Sequence, residues 1–225
     1  MNPVLRGSAA HVFVQSLAAP HLSDDDDHHL RRVLRIRESD VITVGDGAGC
    51  WVAARLTADG VSVESELTVE VAPHPATVVS AIPKGDRPEW IVQKLTEIGA
   101  TSIGFMDCAR SVVRWDAARS ARQRERLRKV AREAAMQSRR VWLPEVWDVV
   151  PFDEVINSMC CAIADPEGAE LTSEIDTVLV GPEGGFTDGE LERVASRVSL
   201  SANVLRVETA ALTAAILLTQ RHERT

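Results

Sequence analysis

The sequence predicts an α/β protein in two parts: a small β-barrel or sandwich over residues 1–72, then an open, mainly parallel sheet covered by helices over residues 73–225. Two observations predict it. Short apolar runs separated by Asp-Gly pairs crowd the first part, the spacing of small all-β folds. From about residue 77 apolar runs alternate with helical periodicity, the pattern of strand–helix–strand units.

In the first part HVFVQSL reads as a strand. VITV runs into Gly45-Asp46-Gly47, and Asp-Gly is a strong hairpin signal. WVAARL follows, then a second turn at Asp59-Gly60 and VSVESEL with alternating apolar positions. Asp24 to Asp27 reads as a loop leading into HHLRRVLRIR, one or two helical turns with Leu30 and Leu34 on one face. No metal is expected at Asp24–Asp27 with His28 and His29, since nothing else supplies ligands at metal spacing. Val71-Ala72-Pro73-His74-Pro75 reads as a linker, because proline stops regular pairing.

In the second part VVSAI is a strand. Asp86-Arg87-Pro88-Glu89 opens a helix, with Asp86 as N-cap and Glu89 at the capping-box position. Ile91, Leu95 and Ile98 line its buried face, and Gly99 ends it. SIGFM is a strand. A long helix follows from about Asp116 to Ser138, with Leu127, Val130, Ala131 and Ala134 inward. CAIA and TVLV are short strands. Thr187 and Glu190 make a capping box, stapled by Phe186 and Leu191. NVLRV reads as a last strand and ETAALTAAILLTQ as a last helix.

Composition bounds the function. Of 225 residues 45% are apolar and 26% charged, which excludes a disordered chain and supports a sizeable core. No stretch reaches the roughly 18 apolar residues of a membrane helix, and the N-terminal segment lacks a secretion signal's apolar run, so a cytoplasmic location is expected. Cys50, Cys108, Cys160 and Cys161 form no CxxC pair and read as buried free thiols. The net charge of −8 argues against a generic nucleic-acid coat. Yet Arg110 to Arg140 carries eleven basic and three acidic residues, so a basic face is segregated within an acidic chain. Such a face reads either as a phosphate-binding surface or as a solvated helix.

Ligands of parallel α/β sheets bind beyond the carboxyl ends of strands. VLVGPEGGF lies at such an end, and Gly181, Gly184 and Gly185 permit close backbone approach. The loop is neither GxGxxG nor GxxxxGK[ST], which disfavours a classical dinucleotide or triphosphate site. A tight turn before a helix is the alternative here. Leu205-Arg206-Val207-Glu208-Thr209 repeats the arrangement, and there Glu208 serves either the chemistry or the helix dipole.

Five stretches make the resemblance specific: HHLRRVLRIR, AIPKGDRPEWIVQKLTEIGA, EAAMQSRR followed by LPE, VLVGPEGGF, and LRVETAAL. Together they resemble the RsmE family, methyltransferases of the SPOUT superfamily that act on N3 of a uridine in 16S ribosomal RNA. The resemblance runs from residue 28 to residue 212. It implies a PUA-like β-barrel over residues 1–72 that helps hold RNA. It implies a domain over residues 73–225 with a deep trefoil knot at about 160–212 that binds S-adenosyl-L-methionine and forms a homodimer. The expected partner is 16S rRNA in an assembled small ribosomal subunit, with no metal and no membrane.

Carried over by position, the cofactor residues are Ala164, Asp165, Pro166, Leu179, Val180, Gly181, Pro182, Glu183, Gly184, Gly185, Leu205, Arg206, Val207 and Thr209. Arg206 or Arg140 would stabilise a developing uracil anion, and Glu183 or Glu208 would accept a proton. RNA contacts are expected from Arg31, Arg35, Arg110, Arg114, Arg122, Arg126, Lys129, Arg139 and Arg140. Glu97, Gln137 and Arg140 match polar positions of the family, on the RNA side or positioning loops. The chain departs from the family pattern at Arg139, where glycine is usual, at Ser201, also usually glycine, and at Val207, usually threonine. Rival readings are a SPOUT methyltransferase with another RNA target and a non-catalytic ribosome-assembly factor.

Overall fold

The computed structural model describes residues 2–58 and 60–220. The chain divides into two compact units, residues 1–73 with 132–143, and residues 74–131 with 144–225. Residues 132–143 thus join the first unit, whereas the sequence reading put them in the second.

The first unit is built on a five-stranded sheet. Strands β1 (His11–Phe13), β2 (Val41–Gly45), β3 (Cys50–Thr57) and β4 (Gly60–Val63) lie in that order, and β5 (Thr68–Val69) also pairs with β3. β1 and β2 are parallel; the other pairs are antiparallel. The turn expected at Asp59-Gly60 includes Asp59, which lies outside the described residues, and Thr57 pairs with Gly60 around it. Helix α1 spans Pro3–Gly7, and Leu30, Ile42, Val44, Ala54 and Leu56 fill the core.

The aspartate run is not a loop. It forms helix α2 (Asp24–His28), continued by a π-helical turn at His29–Val33. Ser23 caps α2 through the Asp26 amide, and the acidic first turn suits the positive end of the helix dipole. Leu30 is buried as expected, but Leu34 is exposed, because the π turn shifts the face. Asp26 is buried and receives both arms of the Arg132 guanidinium at 2.7 and 3.0 Å. Burial pushes its carboxyl up, but the bonds from Arg132 and Ser23 outweigh this and hold it below the ordinary value.

The second unit carries a six-stranded parallel sheet. Its strands are β6 (Thr77–Ala81), β7 (Ser102–Asp107), β8 (Glu145–Pro151), β9 (Cys161–Ala169), β10 (Thr177–Val180) and β11 (Ser196–Val198), in the order β11-β9-β10-β6-β7-β8. β10 fills the gap between β9 and β6. Alternate residues of each strand feed two cores. On one face Val78, Ile103, Phe105 and Val180 pack with α3 (Arg87–Ile98), α4 (Ala117–Ser138) through Leu127 and Ala131, and α7 (Val207–Gln220). On the other, Val79, Met106, Ile163 and Leu179 pack with Phe152 and Val155 of α5 (Phe152–Ser158) and with Phe186. Such runs, buried on both faces, are what a parallel sheet requires.

Three further expectations change. Asp86 makes no side-chain cap to α3, and Glu89 pairs with Arg126 at 2.9 Å instead of closing a box. NVLRV is not a strand. The last strand is Ser196–Val198, and residues 203–206 run as irregular chain into α7. Cys108 and Cys161 are buried, Cys50 is intermediate and Cys160 is exposed.

Candidate functional site

Because all six strands of the second sheet run parallel, their carboxyl ends lie along one edge. A cavity of about 510 Å³ opens there. The glycine loop after β10 forms one wall. The chain of residues 200–207 leading into α7 forms another, and Ala164, Asp165 and Pro166 of β9 form a third.

Local sequence explains the walls. Gly181 is where close approach is needed: a Cβ there would lie 2.8 and 2.9 Å from ring carbons of Phe186. Gly185 turns the chain with φ +68°. The loop then enters helix α6 (Asp188–Leu191) through the expected capping box. Thr187 accepts from the Glu190 amide, and the Glu190 carboxylate accepts from the Thr187 amide at 2.8 Å. Glu190 also accepts from the Ala109 amide at 2.8 Å, tying the loop after β7 to the glycine loop. Arg110 reinforces the tie by donating to the Gly184 and Phe186 carbonyls, each at 3.0 Å. Burial pushes the Glu190 carboxyl up, but its three hydrogen bonds and Arg110 outweigh this and hold it below the ordinary value.

Of the sequence-predicted cofactor residues, the cavity gathers Ala164, Asp165, Pro166, Val180, Gly181, Pro182, Glu183, Gly185, Leu205, Arg206 and Val207. It leaves out three. Leu179 points into the opposite core, as strand alternation requires of the residue before Val180. Gly184 faces Arg110, and Thr209 is exposed on α7. Sequence reasoning missed Phe186, Leu191, Leu200, Ser201, Asn203, Val204 and Ala210 as lining. The repeat of apolar residues around NVLRV signalled that segment, but reading it as a strand hid its place in a wall. Ser201 and Val207, two departures from the family pattern, both line the cavity, and Val207 is buried.

The candidate chemical groups fare differently. Arg206 and Glu183 are exposed cavity residues, and no ion pair engages Arg206 among the described residues. Glu208 does not line the cavity; its Oε1 lies 3.7 Å from Arg87 Nε. Arg140 belongs to the first unit, and burial pulls its guanidinium down to about 10.

The basic residues are largely engaged. Arg31 holds Asp27 and the Thr57 carbonyl, both at 2.7 Å. Arg126 pairs with Glu89, and Arg124 and Arg128 with Glu125. Arg139 donates to the Ser8, Ala9 and Met136 carbonyls. Arg35 has a left-handed backbone, φ 54°, on the first unit. Arg114 donates to the Cys108 carbonyl, and Arg122 makes no ion pair among the described residues. Lys129 lies on α4, as does Gln137, whose carbonyl accepts from Arg139. Glu97 pairs with Lys94 at 2.8 Å.

Comparison with known proteins agrees with this architecture. Residues 70–219 match the model of the RNA methyltransferase domain, and residues 22–64 that of the RNA methyltransferase PUA domain. The chain is 32% identical over 219 residues to ribosomal RNA small subunit methyltransferase E of Bacillus subtilis, covering 85% of this chain and 86% of that protein. It superposes on a probable rRNA-methyltransferase from Porphyromonas gingivalis with TM-score 0.78 and 28% identity, covering 95% of this chain and 99% of the other. It superposes on ribosomal RNA small subunit methyltransferase E from Neisseria gonorrhoeae bound to S-adenosyl methionine with TM-score 0.76 and 25% identity, over 94% and 97% of the two chains. A PUA domain followed by a parallel-sheet methyltransferase domain, matched over most of its length, places the chain in the RNA methyltransferase family of ribosomal RNA small subunit methyltransferase E.

Proposed function

We propose that the protein methylates N3 of a uridine in 16S ribosomal RNA, using S-adenosyl-L-methionine. The observation that carries this reading is the cavity at the carboxyl edge, walled by the glycine loop and by Leu205–Val207, with Arg206 exposed in it.

The cavity fits the cofactor. It has the size of a small-molecule site, and its lining is mainly apolar or backbone. The loops around residues 164–166, 181–185 and 205–207 would hold the adenosine, chiefly through main-chain groups. The cofactor supplies a methyl group on a sulfonium, so the reaction is a displacement and calls for no metal. The order β9-β10-β6, with a later strand inserted between two earlier ones, is consistent with a trefoil knot through these loops.

This chain's residues then have two tasks. They align the uracil nitrogen with the methyl group, and they handle the N3 proton. A paired uracil hides N3, so the base must be unpaired or extruded. Arg206 is placed to stabilise the uracil anion as charge develops, and of the two carboxylates in the cavity wall Glu183 is the one able to take the proton, since Asp165 lies 3.5 Å from Arg197. Glu208, held by Arg87, serves better as a positioning group for the start of α7.

Nucleoside analysis of ribosomal RNA from a strain lacking the protein tests the reading. N3-methyluridine should disappear from 16S RNA and return when purified protein and cofactor are added to the deficient small subunit, with chelator present or absent. A modification lost from another nucleoside or another RNA would assign a different target. An unchanged modification profile would point to a non-catalytic assembly role.

A further inference from the structure

A second cavity, of about 350 Å³, opens on the same sheet edge, over the neighbouring strands β6 and β7. Pro83, Lys84 and Gly85 after β6 form one side. Val112 to Trp115 and Arg119, from the loop after β7 and the first turn of α4, form the other.

Its lining carries three cations and no carboxylate. Lys84, Arg114 and Arg119 are all exposed, and none makes an ion pair among the described residues. That sets them apart from Arg124, Arg126, Arg128 and Arg132 of the basic segment, which are spent on acidic partners. Two aspartates are sequence neighbours of the cavity, Asp86 and Asp116, and neither lines it. Asp116 is used to cap α4, accepting from the Arg119 amide at 2.7 Å.

The lining also holds one aromatic side chain, Trp115. The Trp115 ring packs against Phe105, and the Arg119 guanidinium lies 5.7 Å from the Trp115 centroid. The Trp115 indole nitrogen is buried with no acceptor among the described residues. Three cations in a lining that holds no carboxylate are complementary to an anionic oxygen ligand.

The loop that forms this cavity begins at the first one. Arg110, five residues before Trp115, is the side chain that donates to the Gly184 and Phe186 carbonyls. One loop, residues 108–115, therefore runs from the glycine loop to the basic cavity.

Resting on the function proposed above, we propose that the cavity of Lys84, Arg114, Trp115 and Arg119 is a phosphate subsite. It takes a backbone phosphate of the RNA strand beside the target uridine and so leads that nucleotide toward the first cavity. The α4 stripe of Arg122, Arg126 and Lys129 is then a lesser contributor, since Arg126 is already held by Glu89.

The test is filter binding of a small-subunit rRNA fragment across a salt series, with full-length protein. Lys84→Gln/Arg119→Gln removes two exposed charges. It should flatten the slope of log affinity against log salt by about one to two units, with melting temperature and S-adenosylmethionine affinity unchanged. Arg122→Gln/Arg126→Gln removes the same charge and should change the slope less. An unchanged slope in the first variant, or equal changes in both, overturns the subsite. Calorimetry with inorganic phosphate separates a free anion from RNA: tight phosphate binding together with an unchanged RNA slope also overturns it. Methyl transfer by the wild-type protein is measured on the same preparation. Its absence sinks the proposed function, whereas its presence with an unchanged slope sinks only the subsite.

Discussion

Single residues carry several effects that composition conceals. His11 is buried, its Nδ1 lies 2.9 Å from Thr43 Oγ1, and burial, helped by the charge of Arg139, pulls its pKa down to about 4. Below the ordinary histidine pKa of about 6.5, the unfolded chain takes up a proton that the folded chain refuses. Stability therefore falls as pH falls through that window. Urea unfolding should show a loss of about 2 kcal/mol between pH 7 and pH 5 from this group, and His11→Gln should flatten the profile there. At Arg139, φ is 60°, a left-handed conformation that costs an L-residue roughly 1–2 kcal/mol. Four carbonyl contacts made by its guanidinium offset that cost, which explains how arginine stands where glycine is usual in the family. The glycine loop makes a second residue-scale prediction. Gly181→Ala drives a Cβ into the buried Phe186 ring and should destabilise by about 1–3 kcal/mol while weakening S-adenosylmethionine binding. Gly184→Ala meets only ordinary contacts with Arg110, at 3.6 Å, and should be near neutral. Paired melting curves and calorimetry of the two variants check this; equal losses would place Gly184 in the cavity after all.

At the scale of elements, the sequence was most legible where a local device has one solution. Thr187 with Glu190 spelled a capping box because both partners lie within one turn, and the box is present. Asp86 with Glu89 spelled the same device and failed, because tertiary contacts claimed Glu89 for Arg126 on α4. The aspartate run was misread because a Ser23 cap and a buried salt bridge to Arg132, distant in sequence, turn an acidic loop into helix. NVLRV is a short apolar run like those of the strands, yet its residues run as irregular chain and serve as a cavity wall. The box therefore does more than end a helix, since Glu190 also anchors the Ala109 amide. Glu190→Ala should cost about 1–2 kcal/mol and speed hydrogen exchange at the Ala109 and Thr187 amides. Its depressed pKa gives the contribution a sign. The contribution is complete above the ordinary glutamate value of about 4.5 and fades as pH falls through the lower folded value. A variant with wild-type melting temperature at pH 7 would show that Arg110 alone holds the two loops together.

For the whole molecule, fold class was readable because the switch from crowded short strands to strand–helix alternation spans tens of residues. The strand order was not, since nothing in the spacing of TVLV says that it lies between CAIA and VVSAI. Threading and association are likewise global properties, and the homodimer rests on the family resemblance and on what the second unit leaves exposed. The apolar excess of the last helix is smaller than its composition implies. Val207, Ala210, Ala211, Ala214, Ala215 and Leu218 of α7 are all buried within the chain, the small alanines allowing α3 and α7 to pack closely on one face of the sheet. What remains outward is Leu217, 37% exposed, with Leu212 and Ile216 half-buried, and Trp90 on α3, 41% exposed. A two-fold contact covers such side chains with a second copy, the commonest arrangement among soluble oligomers. We propose that α3 and α7 supply this contact. Light scattering at micromolar concentration should then give twice the 24.5 kDa chain mass. Trp90→Glu/Leu217→Glu, which places charges only at exposed positions, should shift the mass toward the single chain while leaving the monomer folded by circular dichroism. A wild-type protein that scatters as one chain contradicts the dimer. A double variant that still scatters as two places the contact elsewhere.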